Sequence, residues 1–337
     1  MDVQNLETLP PPPGVFGSLK AGFEIVSSRV ALILIPLGLD LFLWLGPRLN
    51  VNGLLSPSIN YLLDQARRSV SGPELEVFMQ RQTLFLDWLQ DFNLLSLLSK
   101  SLWFPVGISS LSAQSLPVDT PLGLQNVFVA SSIWVLSGLM IILVPLGWAG
   151  GGVFFRQVSG SIQGAGEAEI GILRAIVQSV LLSMLWLVFL MILLIPLSLV
   201  LIMLALISPM IANIAVIVIT FFSFWLIVPL FFTPHGIFIR KQNALYSIVS
   251  SLRMIRFSLP TSGMFVLSVF ILSRGLDILW SAPESSSWLA LVGFAGHAFV
   301  TTAMLVASFV YYRDMSDWLQ NVFERIQQIN EKPSSRA

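Results

Sequence analysis

Cysteine is missing from all 337 residues, which excludes disulfides, thiolate metal sites and cysteine nucleophiles. Histidine is almost missing: His235 and His297 are the only two, and no HExxH pattern or histidine cluster offers a metal site. Charge is scarce as well, at 11% of residues against about 25% in a typical soluble domain. From Ala175 to Ile239 there is no Asp, Glu, Lys or Arg. A net charge of zero and a pI near 6.7 give no electrostatic footprint for nucleic acid. Contiguous catalytic and phosphate-binding signatures are absent too: there is no GxxxxGK[ST], no GxGxxG and no G-x-S-x-G elbow. Gly-Leu-Asp occurs twice, ending at Asp40 and Asp277, but without the second glycine or the Tyr-Asp partner of the intramembrane aspartyl proteases. These absences lead to the expectation of a chain that is not an enzyme and carries no cofactor.

What remains is apolar and bunched. Hydrophobic residues make up 55% of the chain, and mean hydropathy is +0.83. The runs are long enough to cross a bilayer, which predicts an all-α polytopic membrane protein. Six spans are expected, at about 30–47, 127–149, 176–207, 210–232, 259–280 and 288–312, with a turn at Ser208–Pro209. Residues 1–14, with four consecutive prolines, read as a disordered tail. Residues 15–312 form the membrane domain, and 313–337 a cytoplasmic tail. Lys20, Arg29, Arg156, Arg174, Arg240, Lys241, Arg253, Arg256 and Arg313 fall on one side of this topology. The turns on the other side carry no Lys or Arg. By the positive-inside rule, both termini are cytoplasmic and the location is a bacterial plasma membrane.

The stretch 48–125 is then an extracytoplasmic loop. Ile59, Leu62, Leu63, Ala66 and Val70 share one helix face, and Leu75 to Phe92 repeat the pattern, so two helices are expected there. Residues 94–111, apolar but broken by serines, Lys100 and Pro105, read as interfacial or re-entrant. A seventh span at this position would reverse the N-terminus. The glycine cluster of 147–171 reads as a flexible helix exit and surface loop.

Short amphipathic segments precede three spans: GSLKAGFEIVSSRVA, AEIGILRAIVQSVLL and NALYSIVSSLRMIRF. Each predicts a cytoplasmic helix lying in the headgroup layer, ahead of a pair of spans. With FFTPHGIFIRKQNALYSIVSSLRMIRF (231–257) as the closest local stretch, the arrangement resembles a loose group of bacterial six-helix membrane proteins. That group includes the membrane region fused to some glycerophosphodiester phosphodiesterases. The resemblance covers roughly residues 15–312 outside the 48–125 loop. It implies a fold and no reaction, because the activity of those fused proteins resides in a separate domain.

Three charges stand inside spans, where each costs about 2.5–3.5 kcal/mol at a helix centre. Arg274 and Asp277 are i,i+3 neighbours able to pair on one helix face. Asp40 falls at a similar depth in the first span and is expected to supply a second acceptor to the Arg274 guanidinium. His297, among glycines and alanines, reads as a packing histidine bonded to another helix, with a proton relay as the alternative. Asn213 is a further polar residue of the spans. The function these features predict is scaffolding or assisting partner proteins or lipids. A permease using Asp40, Arg274 and Asp277 is the alternative. The expected partners are membrane lipids and a membrane protein, with no nucleic acid.

Overall fold

The computed structural model describes residues 11–68, 72–99, 104–164 and 168–331. Within them the chain is a helical multi-pass membrane protein. Five helices are long and apolar enough to cross a bilayer, or six if one bent pair counts as a span. The bent pair is α1 (Val15–Ser28) and α2 (Leu34–Leu45), the latter entered through a 3-10 turn at Val30–Ile33; the two halves meet at 96°. The other spans are α6 (Ile133–Ile162), α7 (Ile172–Ile207), α8 (Pro209–Phe231) extended by α9 (Thr233–Ile239), α10 (Ala244–Trp280) and α11 (Ala290–Glu331). Between α2 and α6 lie β1 (Arg48–Asn50), α3 (Asn52–Arg67), α4 (Pro73–Asp91), α5 (Ser112–Ser115) and three short strands. These are β2 (Asp119–Thr120), β3 (Gly123–Leu124) and β4 (Val127–Val129). We call the end of the bundle carrying this region the loop face, and the end carrying Arg29, Arg156 and Arg313 the basic face.

Several expected boundaries move. Residues 127–129 are not helical: they pair in parallel with Arg48–Asn50, so the two ends of the loop region are clasped together. Helix α6 starts at Ile133, where the Ser132 side chain accepts from Val135 N–H, and continues through the glycine cluster to Ile162. The amphipathic leads before the third and fifth spans are not separate surface helices. From Ile172 and Ala244 onward they are the first turns of the continuous helices α7 and α10; the α10 helix runs on even through Pro260 at its junction, where one backbone donor is missing. Only α1 is set off by a bend. Its small face does not rest on lipid alone but packs on α11, where a Cβ at Gly22 would lie 2.4 Å from the Ala303 carbonyl. The expected C-terminal tail is helical as far as Glu331. Residues 1–10 of the expected proline-rich tail lie outside the described residues.

The α6 glycines from Gly147 onward are contact points, not hinges. A Cβ at Gly151 would approach Gly107 Cα to 2.5 Å, and one at Gly147 would meet the Leu97 carbonyl at 2.8 Å. Gly152 sits equally close to Ser179, which with Ala175 and Ser183 makes a small-residue stripe on α7. Helices in lipid lack a hydrophobic drive toward each other, so close backbone approach of this kind supplies much of their attraction. Helix α11 is the hub. Its hydrophobic window is 61% buried, against none for α7. Along it, Phe309 and Tyr311 join Phe155, Phe232, Phe238 and Phe265 in a ring-filled core, with Phe265 and Tyr311 stacked at 4.4 Å.

Candidate functional site

The segment expected to be interfacial or re-entrant is folded back on itself. Leu94–Leu98 is a 3-10 turn, and Ser99 pairs with Ile108 in an isolated bridge. Its described parts are not a seventh span, because a segment whose ends pair cannot cross a bilayer; residues 100–103 lie outside the described residues. Non-helical backbone is tolerated at such a position when protein surrounds it. Here α6 supplies that surrounding at Gly147 and Gly151, and the glycines let the loop backbone come within contact distance.

The continuation of this loop, residues 109–114, is what the intramembrane charges meet. Asp40 on α2 is fully buried; its Oδ1 accepts from Ser110 Oγ at 2.6 Å and from Ser112 N–H at 2.8 Å. Ser112 Oγ also donates to the Asp40 carbonyl at 3.0 Å. The second carboxylate oxygen of Asp40 is buried and has no hydrogen-bond partner among the described residues. On α10, Arg274 Nη1 lies 3.7 Å from Asp277 Oδ2, the expected i,i+3 pair. The second acceptor for the guanidinium is not Asp40, however. It is Gln114 Oε1 at 2.7 Å, and Gln114 Nε2 donates in turn to the Ser110 carbonyl at 3.2 Å. Asp40 is tied to the knot through the loop, because its Oδ1 and its backbone carbonyl accept from residues 110 and 112 of that loop.

His297 on α11 completes the arrangement. Its Nδ1 is 2.8 Å from Asp277 Oδ1, and its Nε2 is 3.2 Å from Ser109 Oγ. In the neutral ring, Nδ1–H donates to the carboxylate and Nε2 is left to accept from the serine hydroxyl. The imidazole is 1% exposed, the Asp277 side chain 16%, and Ser109 is half-buried. His297 is thus bonded to another helix, as its small neighbours suggested. A Cβ at Gly293 or Gly296 would strike Trp280, one turn past Asp277, so the two glycines draw α10 and α11 close enough for the contact. Asn213 stands exposed on α8, outside the cluster.

On the loop face, a cavity of about 290 Å³ opens between Leu111, Trp280, Pro283, Ala290 and Phe294. Leu111 and Phe294 also pack around Trp44, whose indole N–H donates to the Ser285 carbonyl at 2.8 Å. Three wall residues, Leu111, Trp280 and Phe294, lie within three positions of Ser110, Asp277 and His297 in the chain. Sequence reasoning missed Ser109, Ser110, Ser112 and Gln114. Nothing marks a serine in a serine-rich loop, and the only available hint was the polar interruption of residues 94–111. Among the described residues no group of three or more potential ligands can hold a metal ion. No family model, no curated protein and no solved structure matches this chain.

Proposed function

We propose that this chain is a bacterial plasma-membrane protein, with both termini cytoplasmic, that holds lipid or a membrane-protein partner at its loop face. The observation that carries the reading is the placement of the polar cluster. It is gathered by the loop at 109–114 near a cavity of mixed lining, and along α11 toward the basic face side-chain hydrogen bonds such as Ser262–Tyr311 and His235–Ser308 lie as separate groups within the ring-filled core. A permease would need polar groups continuing from one face to the other. Asn213, the residue that would extend such a path, is exposed on α8. Orientation is supported by the basic residues at one end, and kinship with the six-helix membrane regions of the phosphodiesterase fusions by the bent α1–α2 entry and the paired spans.

Three measurements test this. Purification of the full chain in native lipid discs, followed by mass spectrometry, should show one enriched lipid or a stoichiometric protein partner, reduced by Arg274→Ala. Proton or ion flux into proteoliposomes that Asp40→Asn abolishes would replace holding with transport. Because the chain has no native thiol, cysteines introduced singly at Asn5 and Gln80 read the orientation directly. An impermeant maleimide on intact cells should label position 80 and spare position 5.

A further inference from the structure

Three of the cluster's residues have a relation to one another that holding does not require. Ser109 comes from the inserted loop, His297 from α11 and Asp277 from α10. They form a hydroxyl–imidazole–carboxylate relay with distances of 3.2 and 2.8 Å. The order of atoms is that of a nucleophile, its base and the group that orients the base. The aspartate fixes the imidazole with its proton on Nδ1, and Arg274, 3.7 Å from the other oxygen of Asp277, holds the carboxylate turned toward the ring. The ring is buried, and its Nε2 faces the Ser109 hydroxyl. The serine itself is only half-buried. The cavity at the loop face has an apolar side of Leu111, Trp280, Ala290 and Phe294, which suits an acyl chain, and a polar side of Ser115, Glu284 and Ser285, which suits the ester end of a lipid; the relay residues lie close to it in sequence without lining it.

We infer that Ser109, His297 and Asp277 are a hydrolytic relay for carboxylic esters of lipid-soluble substrates, reached from the loop face. This rests on the reading that the cluster handles lipid there. In the first step Ser109 Oγ attacks the ester carbonyl carbon while its proton passes to His297 Nε2. The carbon–oxygen bond to the alcohol then breaks as His297 hands that proton to the departing oxygen, leaving an acyl-serine. Water attacks the acyl carbon, gives one proton to His297 and expels Ser109 Oγ, which takes the proton back. The sum is ester plus water to acid plus alcohol. Asp277 is a positioning residue throughout, stabilising the imidazolium. A triad built from three distant segments satisfies the chemistry of a serine hydrolase without any contiguous motif.

The test uses the full chain in lipid discs. An alkyl fluorophosphonate should form a bond from Ser109 Oγ to phosphorus with loss of fluoride, mapped by peptide mass, and Ser109→Ala should abolish it. Hydrolysis of p-nitrophenyl decanoate should fall at least about 100-fold in Ser109→Ala, with the melting temperature unchanged. Asp277→Asn should lower kcat and leave KM alone. Folded wild-type protein that takes no label at Ser109, or Ser109→Ala protein that hydrolyses the ester as fast as wild type, would overturn the proposal. If the label fails while a lipid still co-purifies and is lost in Arg274→Ala, holding stands without hydrolysis. If neither occurs, both readings fall.

Discussion

The two histidines of this chain are equally hidden, at 2% and 1% exposure, and each meets a serine hydroxyl. His235 sits on α9 with Nε2 2.7 Å from Ser308 Oγ, walled by Phe232, Phe309 and Tyr312 at ring separations of 5.4, 4.4 and 5.6 Å. His297 has the same kind of partner on Nε2 but a carboxylate on Nδ1. Burial is therefore not what separates them. A ring packed among rings is held by shape, and its replacement is felt as lost packing. A ring between a hydroxyl and a carboxylate has a defined proton position, and its replacement is felt as lost chemistry.

The largest effect expected from this contrast lies in activity. His297→Gln should reduce ester turnover by at least about 100-fold, whereas His235→Gln should leave turnover within about twofold of wild type in discs, as expected for a site outside the reaction. Equal losses in both variants would erase the distinction. The next effect is the reverse one, in stability. His235→Ala opens a hole among aromatic side chains and leaves Ser308 with only its bond to the Leu305 carbonyl, and should cost about 3 kcal/mol by reversible unfolding in mixed micelles. Third, Gly151→Leu drives a side chain into the Gly107 backbone and should cost about 1–3 kcal/mol. The loop should then loosen, so that a thiol introduced by Ser110→Cys reacts faster with maleimide than in the parent background. Smallest is Arg274→Ala: with the guanidinium side chain 46% exposed, its loss should change stability by less than about 1 kcal/mol. A much larger destabilisation would make the arginine a structural pin rather than an adjunct of Asp277.

The spans were legible because lipid demands long apolar runs, and the charged exceptions stood out against them for the same reason. Asp40, Arg274 and Asp277 do converge on one site, and the i,i+3 pair follows from helix geometry alone. What could not be read is the agent that gathers them. Ser110, Ser112 and Gln114 belong to a short irregular stretch whose composition matches many exposed loops, and its insertion depends on glycines of α6 that sequence reasoning assigned to flexibility. Glycine in a helix has two meanings, weak backbone or close approach, and only the neighbouring chain decides between them. Helix ends were misjudged for a related reason. Amphipathic turns preceding a span look like separate surface helices, yet the helix runs on through the junction in α7, and in α10 it does so even past Pro260. The search for chemistry failed at Ser109 because it looked for neighbours in sequence, and this relay has none.

The loop's position among α2, α6, α10 and α11 also sets a clock on biosynthesis. Ser109 must find His297, 188 residues later in the chain, and Gln114 must find Arg274, 160 residues later. At about 5–20 residues per second, the ribosome leaves this segment without its final partners for roughly 10–40 s. During that interval Asp40 can still be engaged, since Ser110 and Ser112 are already made. The buried carboxylate is thus sheathed first, and the reactive arrangement comes into being only when the last helix arrives. A chain truncated before α11 would carry the serine and the aspartate but lack the imidazole that joins them.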